Sequence, residues 1–195
     1  MNATPNPELR SQRSRRAILD AALELAVRDG YARVTVDAIA AAAGVGKQTI
    51  YRWWPGKASV LLEALNDRTG PARDVPNSGD LGRDLTSGTQ AVVRLLDSGL
   101  GTVWRALVAE AQTDPGLAEE LRASFFEPRM QRWQARLDAA VATGELRADA
   151  PTRTMVEHLF GPIYYRLLLG TAPLDPADTA HVEYFLNGVR SPDCP

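Results

Sequence analysis

Four neighbouring side chains have the right chemistry to read the edges of DNA base pairs. Lys47, Gln48 and Thr49 are consecutive, and Arg52 follows one helical turn after Gln48. Lysine and arginine suit the two acceptors of guanine, glutamine suits adenine, and a threonine methyl can contact the thymine methyl. If the segment is a helix packed through Ile50, the two cations and the glutamine project away from that packed side. We predict that the base contacts are Lys47, Gln48, Thr49 and Arg52.

The elements that must present these side chains are two short helices joined by a tight turn. Apolar spacing predicts one helix over residues 36–42 and a second over 47–54. Gly44 between them tolerates the positive φ of a sharp turn, and Ala40 lets the two helices cross closely. A helix-turn-helix whose second helix enters the major groove requires this order of small, glycine and aliphatic residues. Its predicted core is Ile39, Ala40, Gly44, Val45 and Ile50.

Charge is segregated along the chain. The 195 residues carry a formal net charge of -2. Residues 1–66 hold nine lysines and arginines against six acids, a balance of +3, whereas residues 67–195 hold thirteen against eighteen, a balance of -5. A basic amino-terminal third on an acidic body favours an anionic partner there, although a solvated helix start would have a similar composition.

Composition excludes several classes of protein. The chain is 45% hydrophobic and 24% charged, which is typical of globular domains and excludes a disordered or collagen-like chain. It has no run of 18 apolar residues and no signal-peptide core at its start, so we expect a soluble, cytoplasmic protein without a membrane partner. The single cysteine, Cys194, forms no intrachain disulfide, and we predict neither a metal site nor a cofactor.

We predict no catalytic residues. Ala41 stands where a phosphate-binding loop over 41–48 needs its first glycine, and Gln48 replaces the required serine or threonine. His158 and His181 are isolated from each other and from any cysteine, which supports neither a hydrolase triad nor a zinc site. Two other functions stay open from the residues alone: a helical adaptor that binds only proteins, and a helical enzyme.

Apolar residues recur at three- and four-residue spacing along most of the chain, which predicts an all-α protein of about nine helices. The first helix is expected over 14–29. Residues 67–79 are rich in glycine, proline and polar residues without a period, which is typical of a linker. We therefore divide the chain into a basic arm (1–13), a domain that contains the helix-turn-helix (14–66), this linker and a second helical domain (80–195).

A set of motifs with fixed spacing runs through residues 16–65. They are Ala17-Ile18-Leu19-Asp20-Ala21-Ala22, Gly30-Tyr31, Thr35-Val36-Asp37-Ala38-Ile39-Ala40, Ala43-Gly44-Val45 and Thr49-Ile50-Tyr51-Arg52-Trp53-Trp54, followed by Lys57. Together they resemble the DNA-binding domain of the TetR family of transcriptional repressors. Further along, Gly144-Glu145-Leu146 and Gly161-Pro162-Ile163-Tyr164-Tyr165-Arg166 are similar to the regulatory domains of one branch of that family. The resemblance implies a sequence-specific repressor of transcription.

The resemblance assigns further roles within the helix-turn-helix. Thr35, Tyr51 and Lys57 match the family's phosphate contacts, which fix register without reading sequence. Many members have a histidine and a phenylalanine where this chain has Trp53 and Trp54. Trp54 can take the core role of the phenylalanine, and the indole N–H of Trp53 can donate to a phosphate. The predicted phosphate contacts are Thr35, Tyr51, Trp53 and Lys57, and Trp54 joins the predicted core.

A homodimer and a small-molecule effector are also implied. One helix-turn-helix reads few base pairs, so binding needs a two-fold dimer on a palindromic operator in double-stranded DNA. The strictest apolar stripes lie near the carboxyl terminus, and either form the dimer interface or are buried against their own chain. The predicted interface is Val156, Leu159, Phe160, Ile163, Tyr164, Leu167, Val182, Phe185, Leu186 and Val189.

Aromatic residues of the middle helices suit either an apolar ligand pocket or ordinary core. The predicted pocket residues are Trp104, Phe125, Phe126, Met130 and Trp133. A ligand there is expected to shift the dimer to a form that no longer fits its operator.

Overall fold

The computed structural model describes residues 7–70, 75–149 and 151–190, with side chains described from residue 11 onward. Regular structure among these residues is helical, and their one extended pairing is the isolated bridge between Leu146 and Arg190. The predicted all-α class is therefore confirmed. No helix in this part of the chain combines the length and the apolarity needed to span a membrane.

The described residues form nine separate helices if segments that run on without a break are counted once. The α-helical segments are α1 (Pro7–Asp29), α2 (Val36–Ala43), α3 (Lys47–Tyr51), α4 (Lys57–Arg68), α5 (Leu81–Leu96), α6 (Gly99–Ala111), α7 (Pro115–Leu121), α8 (Glu127–Ala142), α9 (Thr152–Leu169) and α10 (Ala180–Val189). A 3-10 turn, Tyr31–Arg33, precedes α2, and a π-helical turn, Arg122–Phe126, joins α7 to α8.

Two helix ends differ from the sequence prediction. Helix α1 begins at Pro7 and not at residue 14. Proline fits a first helical turn, where no N–H partner is needed. The residues that follow it are mostly polar and carry no apolar period, so apolar spacing does not predict this part of the helix. Helix α3 ends at Tyr51 and not at residue 54. There the Trp53 N–H donates to the carbonyl of Ile50, three residues back, at 2.9 Å, which tightens the chain ahead of Pro55.

Pro128 is predicted to kink the helix that contains it or to divide it into two, and in the structure a π-helical turn lies directly before it within a continuous helical run. The π-helical turn ends at Phe126, and Pro128 is the second residue of α8. Proline lacks the N–H that would continue a helix from the preceding turn, whereas a helix start needs none. The Arg129 guanidinium donates to the Phe125 carbonyl at 2.8 Å and so satisfies an acceptor within the widened turn.

The helices pack into two compact units that do not follow chain order. Unit 1 consists of the described residues up to Arg68 together with Thr102–Leu121. In it α1 packs against α2 and α4, and α4 packs against α7. Unit 2 consists of Thr69–Gly101 and the described residues from Arg122 onward, with α8 against α9 and α10 against both α9 and α5. Thus the segment 102–121 packs with the amino-terminal helices.

Polar contacts fasten this segment inside unit 1. The Tyr31 hydroxyl donates to Glu110 of α6 at 2.5 Å, and the Ser59 hydroxyl of α4 donates to Glu120 of α7 at 2.6 Å. Burial, followed by the hydrogen bond to Glu110, raises the pKa of Tyr31. Each carboxylate therefore accepts a hydrogen bond from a hydroxyl on an element far away in sequence.

Unit 2 contains a buried ion pair. Arg136 of α8 donates to the Asp84 carboxylate of α5 from Nε at 3.0 Å and from Nη2 at 2.8 Å, and both residues are buried. The Ser78 hydroxyl and backbone N–H also donate to Asp84. Burial alone would raise the pKa of Asp84, but the hydrogen bonds from Ser78 and Arg136 lower it below its ordinary value.

Candidate nucleic-acid interface

Local sequence signals fix the turn between α2 and α3. Thr35 caps α2, since its Oγ1 accepts the backbone N–H of Ala38 at 3.1 Å. Gly44 ends the helix at φ +65°, a left-handed conformation that glycine adopts without strain. The Val45 N–H donates to the Ala40 carbonyl at 3.0 Å, and the Gly44 N–H to the Ala41 carbonyl at 3.3 Å. These two bonds form a Schellman motif, which sets the direction in which the chain enters α3.

The residues predicted as the core of the helix-turn-helix lie between its helices or at its turn. Ile39 and Ile50 are completely buried, Ala40 and Trp54 are buried, Val45 is half-buried and Gly44 is exposed in the turn. The Trp54 indole N–H donates to Glu63 of α4 at 2.9 Å, and Arg15 of α1 forms an ion pair with the same carboxylate at 2.6 Å. Trp54 therefore holds the end of α3 against α4.

The four predicted base contacts lie in α3 and at the residue that follows it. Lys47, Gln48 and Arg52 are exposed, and Thr49 is half-buried. The guanidinium carbon of Arg52 lies 5.1 Å from the centre of the Trp53 ring, within the range of a cation–π contact. Hence all three long polar side chains are open to solvent, although Lys47 lies one helical turn before the buried Ile50, on the side that faces Asp37 of α2.

The ammonium of Lys47 forms an ion pair with Asp37 of α2, a residue to which the sequence gives no role. The hydrogen bond from Lys47 to this carboxylate raises the pKa of Lys47. An acid in the first turn of a helix is common because it complements the helix dipole, so only the tertiary contact singles out Asp37.

Three of the predicted phosphate contacts present polar groups to solvent. Thr35 is exposed, and its hydroxyl accepts the capping hydrogen bond while its own hydrogen can still be donated. Tyr51 is 52% exposed. Lys57 is half-buried, with its ammonium donating to the Tyr31 carbonyl at 3.2 Å and lying 4.4 Å from the centre of the Tyr31 ring. Tyr31 therefore positions Lys57, although the sequence marks it only as part of a corner motif.

Trp53, the fourth predicted phosphate contact, is half-buried. Its ring meets Trp54 edge-to-face, with 5.3 Å between ring centres, and the Arg52 guanidinium lies 5.1 Å from its ring centre. Trp53 therefore supports a cation as well as presenting an indole edge.

The predicted basic arm lies partly within α1 and partly outside the described residues. Residues 1–6 and the side chains of 7–10 are not described, and Arg13 is exposed. Arg16 forms ion pairs with Asp20 at 3.2 Å and with Asp67 at 2.9 Å. Part of the positive charge counted along the first third of the chain is therefore matched by neighbouring acids.

The apolar stripes predicted as a dimer interface are largely buried inside unit 2. Seven of the ten residues are buried and the other three are half-buried. The buried residues are Val156, Leu159, Phe160, Ile163, Leu167, Val182 and Leu186, and the half-buried residues are Tyr164, Phe185 and Val189. The strict three-four spacing therefore marks packing within the chain for these seven.

A different apolar face of α9 and α10 is open to solvent. Its large side chains are Tyr165, Leu168, Leu169 and Tyr184, which are 58%, 43%, 64% and 77% exposed, respectively. A groove of about 540 Å³ between the two helices continues this surface, with Pro162 and Phe185 in its lining. The exposed face is offset around α9 from the buried stripe.

Unit 2 also contains an apolar cavity of about 260 Å³. Four of the five predicted pocket residues line it: Phe125, Phe126, Met130 and Trp133. The fifth, Trp104, is a correction, because it is buried in unit 1 and not in the cavity wall. Val156, Phe160 and Tyr164, predicted at the dimer interface, belong to the lining as well. Burial raises the pKa of Tyr164 to about 12, so its phenol stays neutral at physiological pH.

Within the described part of the chain no group of three histidine, cysteine, aspartate or glutamate side chains could hold a metal ion.

Two families of known proteins match consecutive parts of this chain. Residues 18–64 match the family described as bacterial regulatory proteins, tetR family, and residues 75–183 match the family described as tetracyclin repressor-like, C-terminal domain. The first match contains the helix-turn-helix, and the second contains the cavity-lining helices of unit 2.

Curated relatives resemble the chain over most of their length. The uncharacterized HTH-type transcriptional regulator YdeS of Bacillus subtilis (strain 168) is 37% identical over 160 residues, 82% of this chain and 81% of the relative. The DNA-binding transcriptional repressor TetR of Mycobacteroides abscessus is 32% identical over 162 residues, 83% of this chain and 85% of the relative.

Solved structures share the fold. The TetR family transcription regulator SCO0332 superposes with a TM-score of 0.79 at 32% identity, covering 93% of this chain and 99% of that chain. The transcriptional regulator FadR from Bacillus subtilis, solved in complex with stearoyl-CoA, superposes with a TM-score of 0.72 at 20% identity, covering 90% of this chain and 99% of that chain.

Proposed function

The chain belongs to the TetR family of transcriptional regulators, and from this premise we propose that it is a homodimeric repressor that an apolar small molecule releases from a palindromic operator. Membership makes it a DNA-binding regulator of transcription. We also propose that it acts on operator DNA in the cytoplasm, without catalysis or a cofactor.

The observation that carries the proposal is the surface of α3. A capped and glycine-terminated α2 braces a short helix that buries Ile50 and exposes Lys47 and Gln48. A helix-turn-helix inserts such a helix into the major groove, where base edges show distinct donors and acceptors.

We divide the contacts into those that read sequence and those that fix register. The proposed readers are Lys47, Gln48, Thr49 and Arg52, which lie in α3 and directly after it. The positioners are Thr35, Tyr51, Trp53 and Lys57, whose hydroxyl, indole and ammonium groups are donors suited to phosphate oxygens.

The second copy of the chain is proposed to pack on the exposed face of α9 and α10. Four large apolar side chains there are between 43% and 77% exposed in a single chain. Grouped exposed apolar residues of this size are typical of a protein interface. Two helices from each subunit then form a four-helix bundle across a two-fold axis.

The cavity of unit 2 is the proposed effector site. Its walls are mostly aromatic and aliphatic, with Thr69, Arg129 and Tyr164 as polar members. An apolar ligand of moderate size fits such a lining, and a few polar groups set its orientation. FadR, which shares the fold, was solved with stearoyl-CoA bound.

The test is a binding selection followed by a salt titration. The full-length protein selects duplexes from a random library, and fluorescence anisotropy then measures its affinity for the enriched duplex and for a scrambled duplex at several salt concentrations. We expect enrichment of a palindrome, tighter binding of the enriched duplex, and affinities that fall steeply as salt rises. A matched Lys47→Met variant is expected to lose base preference at one position of each half-site.

The alternative functions make different predictions in the same assay. A helical adaptor that binds only proteins enriches no duplex and shows no salt-dependent affinity for DNA, which would contradict the proposal. Ligand release is tested separately with a library of apolar compounds. If none changes operator binding while the protein stays dimeric, the effector part of the proposal is wrong.

A further inference from the structure

The ion pair between Asp37 and Lys47 joins the two helices of the helix-turn-helix on its solvent side. Asp37 belongs to the first turn of α2, and Lys47 is the first residue of α3. The Lys47 side chain is 54% exposed and the Asp37 side chain is 62% exposed. Both groups therefore lie at the surface that the proposed function assigns to DNA.

Stability does not account for this contact. Exposed ion pairs contribute little to folding, because water already solvates both charges and two flexible side chains must be held still. The geometry of α2 and α3 is instead fixed by the buried Ile39 and Ile50 and by the turn at Gly44. The main effect of the pair falls on the Lys47 ammonium itself.

Lysine is a flexible cation with three N–H donors, so it ordinarily discriminates bases less well than a rigid arginine fork. In this structure one donor of Lys47 is directed at Asp37. The hydrogen bond holds the ammonium beside Asp37 of α2 and raises the pKa of Lys47. The two remaining donors match the N7 and O6 acceptors of a guanine.

Resting on the proposed function, we propose that Asp37 determines specificity by orienting Lys47 toward base edges and withholding its charge from the phosphate backbone. The first effect strengthens binding to the correct base. The second effect weakens non-specific binding, which depends almost entirely on neutralised phosphates. Both effects widen the ratio between specific and non-specific affinity.

The experiment compares the full-length protein with Asp37→Asn and Asp37→Ala. Asparagine keeps the size of the side chain and one acceptor but removes the charge, and alanine removes both. The matched control is Asp149→Asn in unit 2, because Asp149 is a similarly exposed carboxylate, 66% exposed, paired with Arg147. Anisotropy titrations use the duplex that the unsubstituted protein enriches from a random library, with poly(dI-dC) as the non-specific duplex.

We expect both Asp37 variants to bind poly(dI-dC) more tightly, with a salt dependence steeper by about 0.9 in logarithmic slope. The ratio of specific to non-specific affinity should fall by about tenfold. A repeated selection should show a weaker preference at one base of each half-site. The Asp149→Asn variant should change none of these quantities.

A second series separates an effect through Lys47 from a direct contact of Asp37 with DNA. In a Lys47→Met background, Asp37→Asn should no longer change the base preference. A preference that still changes in this background shows that Asp37 acts independently of Lys47 and overturns the inference.

The failure of this inference is distinguishable from the failure of the proposed function. If the unsubstituted protein enriches no duplex, the proposed function itself is wrong. If the unsubstituted protein discriminates well and Asp37→Asn behaves like Asp149→Asn, only the inference about Asp37 is overturned. Thermal unfolding of each variant verifies that the fold is intact, as the exposure of Asp37 leads us to expect.

Discussion

At the scale of single residues, the cations of the proposed DNA surface already have partners within the protein. Lys47 pairs with Asp37, Lys57 donates to the Tyr31 carbonyl, and the Arg52 guanidinium lies over the Trp53 ring. Such contacts limit the rotamers of long side chains, so less conformational entropy is lost when DNA binds. The surface is therefore partly preorganised for its ligand.

The division between readers and positioners predicts two different defects. Arg52→Ala should relax base preference at one position of each half-site and weaken operator binding by about 1–3 kcal/mol. Lys57→Met keeps the side-chain stem against Tyr31 but removes the charge, so it should weaken all duplexes alike and reduce the salt slope by about 1. A binding selection and salt titrations measure both. The assignments are reversed if Lys57→Met changes the selected sequence and Arg52→Ala does not.

At the scale of elements, the helix-turn-helix is determined by short-range signals that act within α2, the turn and α3. The Thr35 cap, the left-handed Gly44 and the aliphatic residues around them all favour the same geometry. Because each signal involves residues close in sequence, the two helices and their turn are predictable from the sequence. The end of α3 is less predictable from the sequence, because Trp53 and Trp54 continue the apolar pattern beyond Tyr51, the last residue of the helix.

Two glycines near the turn should respond differently to alanine. Gly44 has a φ of +65° and Gly46 has a φ of -78°, and a methyl group at either position would meet nothing within 4 Å. The two positions therefore do not differ in available space. They differ in the conformational cost of placing alanine in the left-handed region. We expect Gly44→Ala to lower the free energy of unfolding by about 1 kcal/mol.

The control, Gly46→Ala, is expected to change the free energy of unfolding by at most a few tenths of a kcal/mol, because alanine is a poorer N-cap than glycine but restricts the unfolded chain at a φ that it adopts without strain. Thermal or urea unfolding measures both variants. Equal losses at the two glycines would contradict the assignment of strain to Gly44.

The buried ion pair between α5 and α8 makes a second prediction at this scale. Asp84→Asn leaves the buried Arg136 without its counter-charge, and we expect a loss of about 3 kcal/mol in unfolding free energy. Combining Asp84→Asn with Arg136→Met should recover part of this loss, because no buried charge then remains.

The pH dependence of this pair has a definite sign. The pKa of Asp84 is lower in the folded state, so its stabilising effect is present at neutral pH and is lost as pH falls through that lowered value. Urea unfolding from pH 7 downward should show a smaller loss of stability in Asp84→Asn than in the unsubstituted protein. Identical pH profiles would show that Asp84 contributes nothing to acid sensitivity.

At the scale of the whole molecule, the chain is built from two units, and the sequence passes from one unit to the other three times. The segment 102–121 packs with the DNA-binding helices, although it follows α5 of the other unit. Its hydrogen bonds from Tyr31 and Ser59 link residues 79 and 61 positions apart in sequence. Pairings of that range leave no periodic signal, so apolar spacing alone assigns this segment to the second domain.

The proposed dimer predicts that a charge on the exposed face of α9 and α10 separates the subunits. Tyr184→Glu places a carboxylate where a 77% exposed phenol lies, so the single chain should still fold. We expect the dimer dissociation constant to rise at least about tenfold and operator affinity to fall with it. Sedimentation velocity measures the oligomeric state.

Val27→Glu is the matched control for this variant, because Val27 is also an exposed apolar residue, 48% exposed, but lies on α1 of unit 1. It should leave the oligomeric state unchanged. A Tyr184→Glu protein that stays dimeric would place the interface elsewhere.

The sequence by itself determined the features that arise from neighbouring residues: the all-α class, the cap at Thr35, the turn at Gly44 and the polar set presented by α3. It also placed four cavity-lining residues on the middle helices, because their aromatic content is visible along the chain. Local propensity and periodicity act over a few residues, which is the range that a sequence displays directly.

Only the tertiary structure decided which side of each periodic helix is covered and which charges meet. The stripe containing Leu159 repeats every three or four residues whether it packs on its own chain or on a partner, and the fold buries it internally while leaving Tyr184 open. Likewise Trp104 is equally apolar in a core or in a cavity, and its position in unit 1 settles which. The contact of Asp37 with Lys47 depends on the crossing of two helices, so no pattern within either helix displays it.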